Sequence, residues 1–127
     1  MQYGNSKKVE MPYEKAVERI TEELKKEGFG VLTEIDVTET LKKKLNADFK
    51  KYKILGACNP PIAYKALQAE EELGLLLPCN VIVYEKDAGS VVSVFNPMIM
   101  TGLVENKDIT SIATEVNEKL KRALDAI

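Results

Sequence analysis

Histidine is absent from the 127-residue sequence. A chain without histidine cannot build a Ser-His-Asp or Cys-His catalytic set, a histidine-ligated zinc site, or a histidine acid–base pair that works at neutral pH. Its two cysteines are too few for a disulfide framework. Gly-rich phosphate loops, dinucleotide fingerprints and zinc-finger spacings are also missing. The sequence therefore contains none of the best-known motifs of catalysis, and it does not identify a cofactor.

Long apolar runs and an excess of positive charge are lacking as well. No stretch reaches the roughly 20 apolar residues of a membrane-spanning helix, and residues 1–11 are too polar for a signal peptide. We therefore expect a cytoplasmic protein with no membrane partner. The net charge of −2 also argues against a nucleic-acid partner, because nucleic-acid binding needs a basic face. One local basic run, which we interpret as a solvated helix and loop, consists of Lys42, Lys43, Lys44, Lys50, Lys51 and Lys53.

Length and composition predict one globular domain over residues 1–127. Residue spacing predicts a strand at 3–11, a helix at 12–27, a strand at 29–37, a short helix at 38–45, a strand at 52–58, a helix at 61–73, a hairpin at 77–96 and a helix at 107–127. This order indicates an α+β fold, with a largely antiparallel sheet and helices packed on one face. The hairpin is apolar on both faces, which favours a homodimer.

Two details of this prediction concern local geometry. Alternation in the second strand predicts that Phe29, Val31, Thr33, Ile35 and Val37 share one face, opposite Glu34 and Asp36. At the later helix, proline lacks an N–H group, and a residue before proline avoids helical geometry. We therefore expect Pro60 at the cap position and Pro61 as the first helical residue. This placement disfavours Asn59 as the residue that caps the helix.

Both cysteines lie in one repeated context, where a strand meets a turn. The first segment reads Ile54-Leu55-Gly56-Ala57-Cys58-Asn59-Pro60-Pro61, and the second reads Leu77-Pro78-Cys79-Asn80-Val81. If the two strands are neighbours joined by a helical crossover, they are parallel and the cysteines lie at opposite ends. If they are not parallel neighbours, the two thiols can approach each other. The sequence does not decide between these arrangements.

These segments, the second of them extended back to Gly74, resemble the domain-of-unknown-function family numbered 302, as do Asn96-Pro97 and the strand at residues 28–37. The resemblance covers nearly the whole chain. It implies an α+β fold similar to the TATA-box-binding-protein-like class, with a dimeric state in many members. It implies no activity, and fold likeness alone carries no claim of DNA binding.

The candidate ligand-binding residues are Cys58, Asn59, Pro60, Cys79 and Glu34. We expect a homodimeric binding module for an unidentified small ligand or partner. Its groove lies near the Cys58-Asn59-Pro60 corner, where the Pro78-Cys79 corner and the loop at 97–103 converge. One alternative is a thiol-dependent redox protein or enzyme using Cys58, with or without Cys79, because a helix N-terminus favours a thiolate. A further alternative is metal binding by thiolates and carboxylates. Inert, buried packing of both thiols also stays open.

Overall fold

The computed structural model describes residues 2–127, so Met1, which the predicted domain includes, lies outside the described residues. The elements in chain order are β1 (Gly4–Val9), α1 (Tyr13–Lys26), β2 (Gly30–Asp36), α2 (Val37–Leu45), β3 (Tyr52–Cys58), α3 (Pro60–Ala69), a 3-10 helix (Glu71–Leu76), β4 (Cys79–Lys86), β5 (Gly89–Phe95), a second 3-10 helix (Pro97–Gly102) and α4 (Lys107–Asp125). The strands form one sheet of order β1-β5-β4-β3-β2, in which every neighbouring pair is antiparallel. The predicted α+β fold is confirmed.

The main core lies between α1, α4 and one face of the sheet. On α1, Ala16, Ile20 and Leu24 recur at helical spacing and are completely buried. They pack in one cluster with sheet residues such as Leu55 and Val81. No helix within residues 2–127 combines the length and the hydropathy that a bilayer crossing requires.

A smaller core lies beyond the end of the sheet where β3 stops and β4 starts. It consists of Ala66, Leu73, Met100, Ile109 and Ala113, contributed by α3, both 3-10 helices and α4. Three partly buried side chains pack against both cores: Leu77, Phe95 and Ile112. The two cores are thus continuous, and the segments around the second core form one end of the molecule.

The predicted alternation of β2 is wrong, because the strand contains a bulge. Val31 pairs with Ala57 and Thr33 pairs with Gly56, so the register shifts at Leu32. An extra residue in one strand reverses the face of every side chain after it. Val31 therefore shares the helix-covered face with Ala57, whereas Thr33 and Ile35 lie on the other face.

The connection from β3 to β4 decides between the two possible arrangements of the cysteines. The strands are neighbours, but they are antiparallel, with Ala57 opposite Cys79. Helix α3 and the following 3-10 helix bring the chain back at the end of the sheet where β3 left it. Cys58 and Cys79 consequently lie at the same end of adjacent strands.

Candidate functional site

An apolar cavity of about 340 Å³ opens at the end of the sheet where the cysteines lie. We call it the corner cavity. Its lining comes from β2, β3, α3, the 3-10 helices, β4 and α4, and comprises Phe29, Leu32, Thr33, Ala57, Cys58, Asn59, Ile62, Ala63, Ala66, Leu67, Leu73, Gly74, Leu77, Pro78, Cys79, Met100, Ile112 and Val116. None of these side chains carries a formal charge. Most are aliphatic or aromatic, so the cavity favours an apolar occupant.

Asn59 fixes the corner where β3 passes into α3. Its side-chain Oδ1 accepts a hydrogen bond from the backbone N–H of Ile62 at 3.4 Å, and α3 begins at Pro60. The prediction of Pro60 as the cap and Pro61 as the first helical residue is therefore wrong. The physical reason is that the first helical positions have no intrahelical use for an N–H group, so two prolines fit there while Asn59 caps the third helical residue.

The same asparagine joins α3 to the end of α1. Its Nδ2 donates a hydrogen bond to the Glu27 carbonyl oxygen at 3.4 Å. Gly28 adopts a left-handed backbone with φ +86, and a Cβ built there would stand 2.8 Å from the Asn59 Nδ2. Phe29 N–H bonds back to the Leu24 carbonyl at 2.9 Å, which closes a Schellman-type helix end. The absence of a side chain at Gly28 thus permits both the left-handed end of α1 and the close approach of the Asn59 amide.

The two thiols differ in their surroundings. Both are free, Cys58 is half-buried, and Cys79 is 6% exposed. Burial raises the pKa of the Cys79 thiol to about 11, and the nearby Cys58 adds to this shift. A thiol that stays protonated at neutral pH is a poor nucleophile and a poor metal ligand. Cys79 therefore packs as a small apolar residue, and Cys58 is the more accessible thiol of the cavity.

The family model of the domain of unknown function DUF302 matches residues 5–127. The chain belongs to this family. A crystal structure of an uncharacterized conserved DUF302 protein from Bacillus stearothermophilus has 31% sequence identity to it. The match covers 98% of each chain with a TM-score of 0.91. The comparison with curated proteins yields no match.

Two of the predicted site residues of this DUF302 chain lie apart from the cavity lining. Pro60 is exposed at the first turn of α3. Glu34 is exposed and forms an ion pair with Lys53 at 3.3 Å. Cys58, Asn59 and Cys79 do line the cavity, together with Pro78 and Met100 from the two segments that were expected to converge there. Within residues 2–127, no three or more Cys, Asp or Glu side chains are grouped as a metal site would require.

Several lining residues of the DUF302 cavity were not singled out from the sequence as site residues. Ile112 and Val116 follow the apolar stripe of α4, and this spacing predicts burial without telling a core from a cavity wall. Thr33 lines the cavity directly after the bulge at Leu32, which the alternation of the sequence does not predict. Neither signal identifies a binding site from one sequence.

Proposed function

We propose that this DUF302 chain is a homodimeric binding module whose corner cavity takes a small, neutral, largely apolar ligand. The observation that carries the proposal is the uncharged lining of a cavity of about 340 Å³. Ligand cavities in proteins span roughly 300–1,000 Å³ and are lined mainly by apolar side chains with a few polar groups. This volume suits a compact ring system or a short aliphatic chain.

The polar atoms of the cavity define the ligand further. Both ends of the Asn59 amide are engaged, with Ile62 and with Glu27. The remaining polar side chains of the lining are the Thr33 hydroxyl and the thiols of Cys58 and Cys79. Among residues 2–127, no lysine or arginine lines the cavity. A carboxylate or phosphate buried there would therefore lack a charged partner, which is costly. The ligand is therefore neutral.

Titration with the neutral fluorophore N-phenyl-1-naphthylamine tests the cavity. We expect saturable binding of one probe per chain, and weaker binding of the anionic probe 8-anilinonaphthalene-1-sulfonate. Ala63→Phe fills the cavity from α3 and should abolish binding, whereas Lys65→Phe, outside the lining on the same helix, should leave it unchanged. Equal binding by the two variants, or a signal that never saturates, would refute the site.

The dimer part of the proposal concerns the sheet face opposite α1 and α4. There Ile35, Ile54 and Ile82 stand side by side across three strands. Tyr52 and Tyr84 stack beside them with ring centroids 5.4 Å apart. Ile35 is 49% exposed in the single chain. An apolar sheet face packs well against another sheet, and a second copy of the chain supplies one.

Sedimentation equilibrium at micromolar concentration tests the dimer. We expect a dimer for the unaltered protein and a folded monomer for Ile82→Lys, because the new charge stands in the middle of this apolar face. The control Ser111→Lys places the same charge on an exposed position of α4 and should keep the dimer. A monomeric unaltered protein, or a dimeric Ile82→Lys variant, contradicts the proposal.

We also propose a cytoplasmic location, a single domain and no nucleic-acid partner. Free thiols suit a reducing compartment, and Leu77, Phe95 and Ile112 link the two cores. Cell fractionation should recover the protein in the cytosol, and thermal unfolding should show one transition. A mobility-shift assay at low salt should show no retarded DNA or RNA band, as the net charge of −2 implies.

A further inference from the structure

One end of the molecule is basic and apolar at the same time. We call it the basic end, and it consists of Lys42, Lys43, Lys44, Leu45, Phe49 and Lys50. Helix α2 has no buried residue, Leu45 is 70% exposed and Phe49 is 45% exposed. Lys42 pairs with Asp48 and Lys43 with Glu39. Asp36 also borders Lys42 and Lys43. The positive surplus beside the two exposed apolar side chains therefore comes from Lys44 and Lys50, which form no ion pair within residues 2–127.

The opposite end of the molecule carries a groove of about 490 Å³ that is acidic and apolar. We call it the acidic groove. It is lined by Glu70, Glu72, Leu73, Leu75, Leu76, Leu103, Val104 and Glu105. Leu75 is 83% exposed and Leu103 is 67% exposed. Within residues 2–127, the three glutamates of the groove form no ion pair. Exposed apolar patches rimmed by charge mark interaction sites.

These two surfaces cannot meet within one chain. Helix α2 follows the end of β2 and precedes the start of β3, whereas the acidic groove lies just before β4 and just after β5. Because neighbouring strands are antiparallel, these are the two opposite ends of the sheet. A strand of seven residues spans about 20 Å. Any contact between the basic end and the acidic groove therefore joins two molecules.

We propose that the basic end of one copy docks in the acidic groove of a second copy, so that molecules associate head to tail. Leu45 and Phe49 meet Leu75 and Leu103 in this contact, and lysines face the unpaired glutamates. Such an interface is heterologous, because it uses a different surface on each partner and leaves both outer ends free to bind further copies. The basic end borders the apolar sheet face of the proposed dimer, because the Phe49 and Tyr52 ring centroids are 6.0 Å apart and the Lys50 Nζ lies 4.6 Å from the Tyr84 ring centroid. Lys42, Lys43 and Lys44 are not among the residues of that face.

Sedimentation velocity at low and high salt tests the proposal. In 50 mM salt we expect the unaltered protein to form species larger than its basic unit, whether that unit is a monomer or the proposed dimer. In 500 mM salt, association should weaken about tenfold, because exposed charges are screened. The basic unit itself should persist, so failure of the dimer and failure of the head-to-tail contact give different results.

Two variants, each with the charges of one surface removed, test the contact further, both alone and mixed. One carries Lys42→Ser, Lys43→Ser and Lys44→Ser, and the other carries Glu70→Gln, Glu72→Gln and Glu105→Gln. Each alone should stop at the basic unit. An equal mixture should regain larger species, because the intact groove of the first variant accepts the intact basic end of the second. A mixture that stays at the basic unit, larger species in either variant alone, or association that ignores salt overturns the proposal.

Discussion

Asn59 touches both helix ends that shape the corner cavity, and its coupling to Gly28 can be measured. The perturbations are Asn59→Ala and Gly28→Ala, alone and together. Asn59→Ala removes the cap on Ile62 and the hydrogen bond to the Glu27 carbonyl, both of which are 3.4 Å long. A lost cap costs about 1 kcal/mol and a lost neutral hydrogen bond about the same. Since both bonds are long, we expect the free energy of unfolding to fall by about 1–2 kcal/mol.

Gly28→Ala combines two costs. A non-glycine residue at φ +86 is strained by about 1–2 kcal/mol. The new methyl group also stands 2.8 Å from the Asn59 Nδ2, so the asparagine has to leave its place and lose its two hydrogen bonds. We therefore expect a total loss of about 2–4 kcal/mol in the unaltered background. Once Asn59 is alanine, only the backbone strain remains.

Urea unfolding of the four proteins gives the coupling energy of this cycle. We expect the double variant to be about 1–2 kcal/mol more stable than the sum of the single losses predicts. Asn59→Asp is the matched control, because it keeps the cap acceptor and loses only the amide donor, and it should cost about half as much as Asn59→Ala. Single losses that add within about 0.5 kcal/mol would refute the contact between Asn59 and Gly28.

The remaining predictions concern the thiols and the main core. Burial raises the pKa of Cys79 from 9.0 to about 11, so its contribution to stability is complete below pH 9 and is lost by pH 11. The advantage of the unaltered protein over Cys79→Ala should therefore shrink by about 2 kcal/mol across that range in urea unfolding, and a constant difference would contradict this. Iodoacetamide should modify Cys58 in the folded protein and Cys79 only after denaturation, which mass spectrometry reports. Leu55→Ala removes a fully buried side chain and should cost about 3 kcal/mol, whereas a loss below about 1 kcal/mol would show that the core collapses around it.

Helices with a clean apolar stripe were predictable from the sequence. The spacing of Ala16, Ile20 and Leu24 predicts α1, and Gly28 is positioned as expected just past its end. The hairpin turn between β4 and β5 was predictable from Lys86-Asp87-Ala88-Gly89, where Asp87 adopts a positive φ. These signals are local, so one chain segment contains all the information they need.

The predicted end of α3 was wrong for a reason that local signals do not contain. The sequence predicts a helix to about Leu73 with Gly74 as its end, but α3 stops at Ala69 and Glu70 is extended. The chain then forms a 3-10 helix in which Leu73 is 2% exposed and packs in the cluster with Met100 and Ile109. Burial of this leucine against α4 and the second 3-10 helix outweighs the helical preference of the glutamates beside it. Tertiary packing decides where α3 ends.

The corner cavity owes its shape to backbone irregularities more than to any conspicuous side chain. A Cβ at Gly56 would approach the Pro78 ring within 2.8 Å and would also meet the Thr33 hydroxyl, so β2 and the start of β4 close over bare backbone there. The bulge at Leu32 turns Thr33 towards this point. Cys58 and Cys79 attract attention in the sequence, yet their contribution to the cavity depends on glycine, a bulge and a short helix that set the walls around them. The proposed function therefore depends on the cavity that these walls enclose. A ligand-binding experiment tests it more directly than modification of the cysteines does.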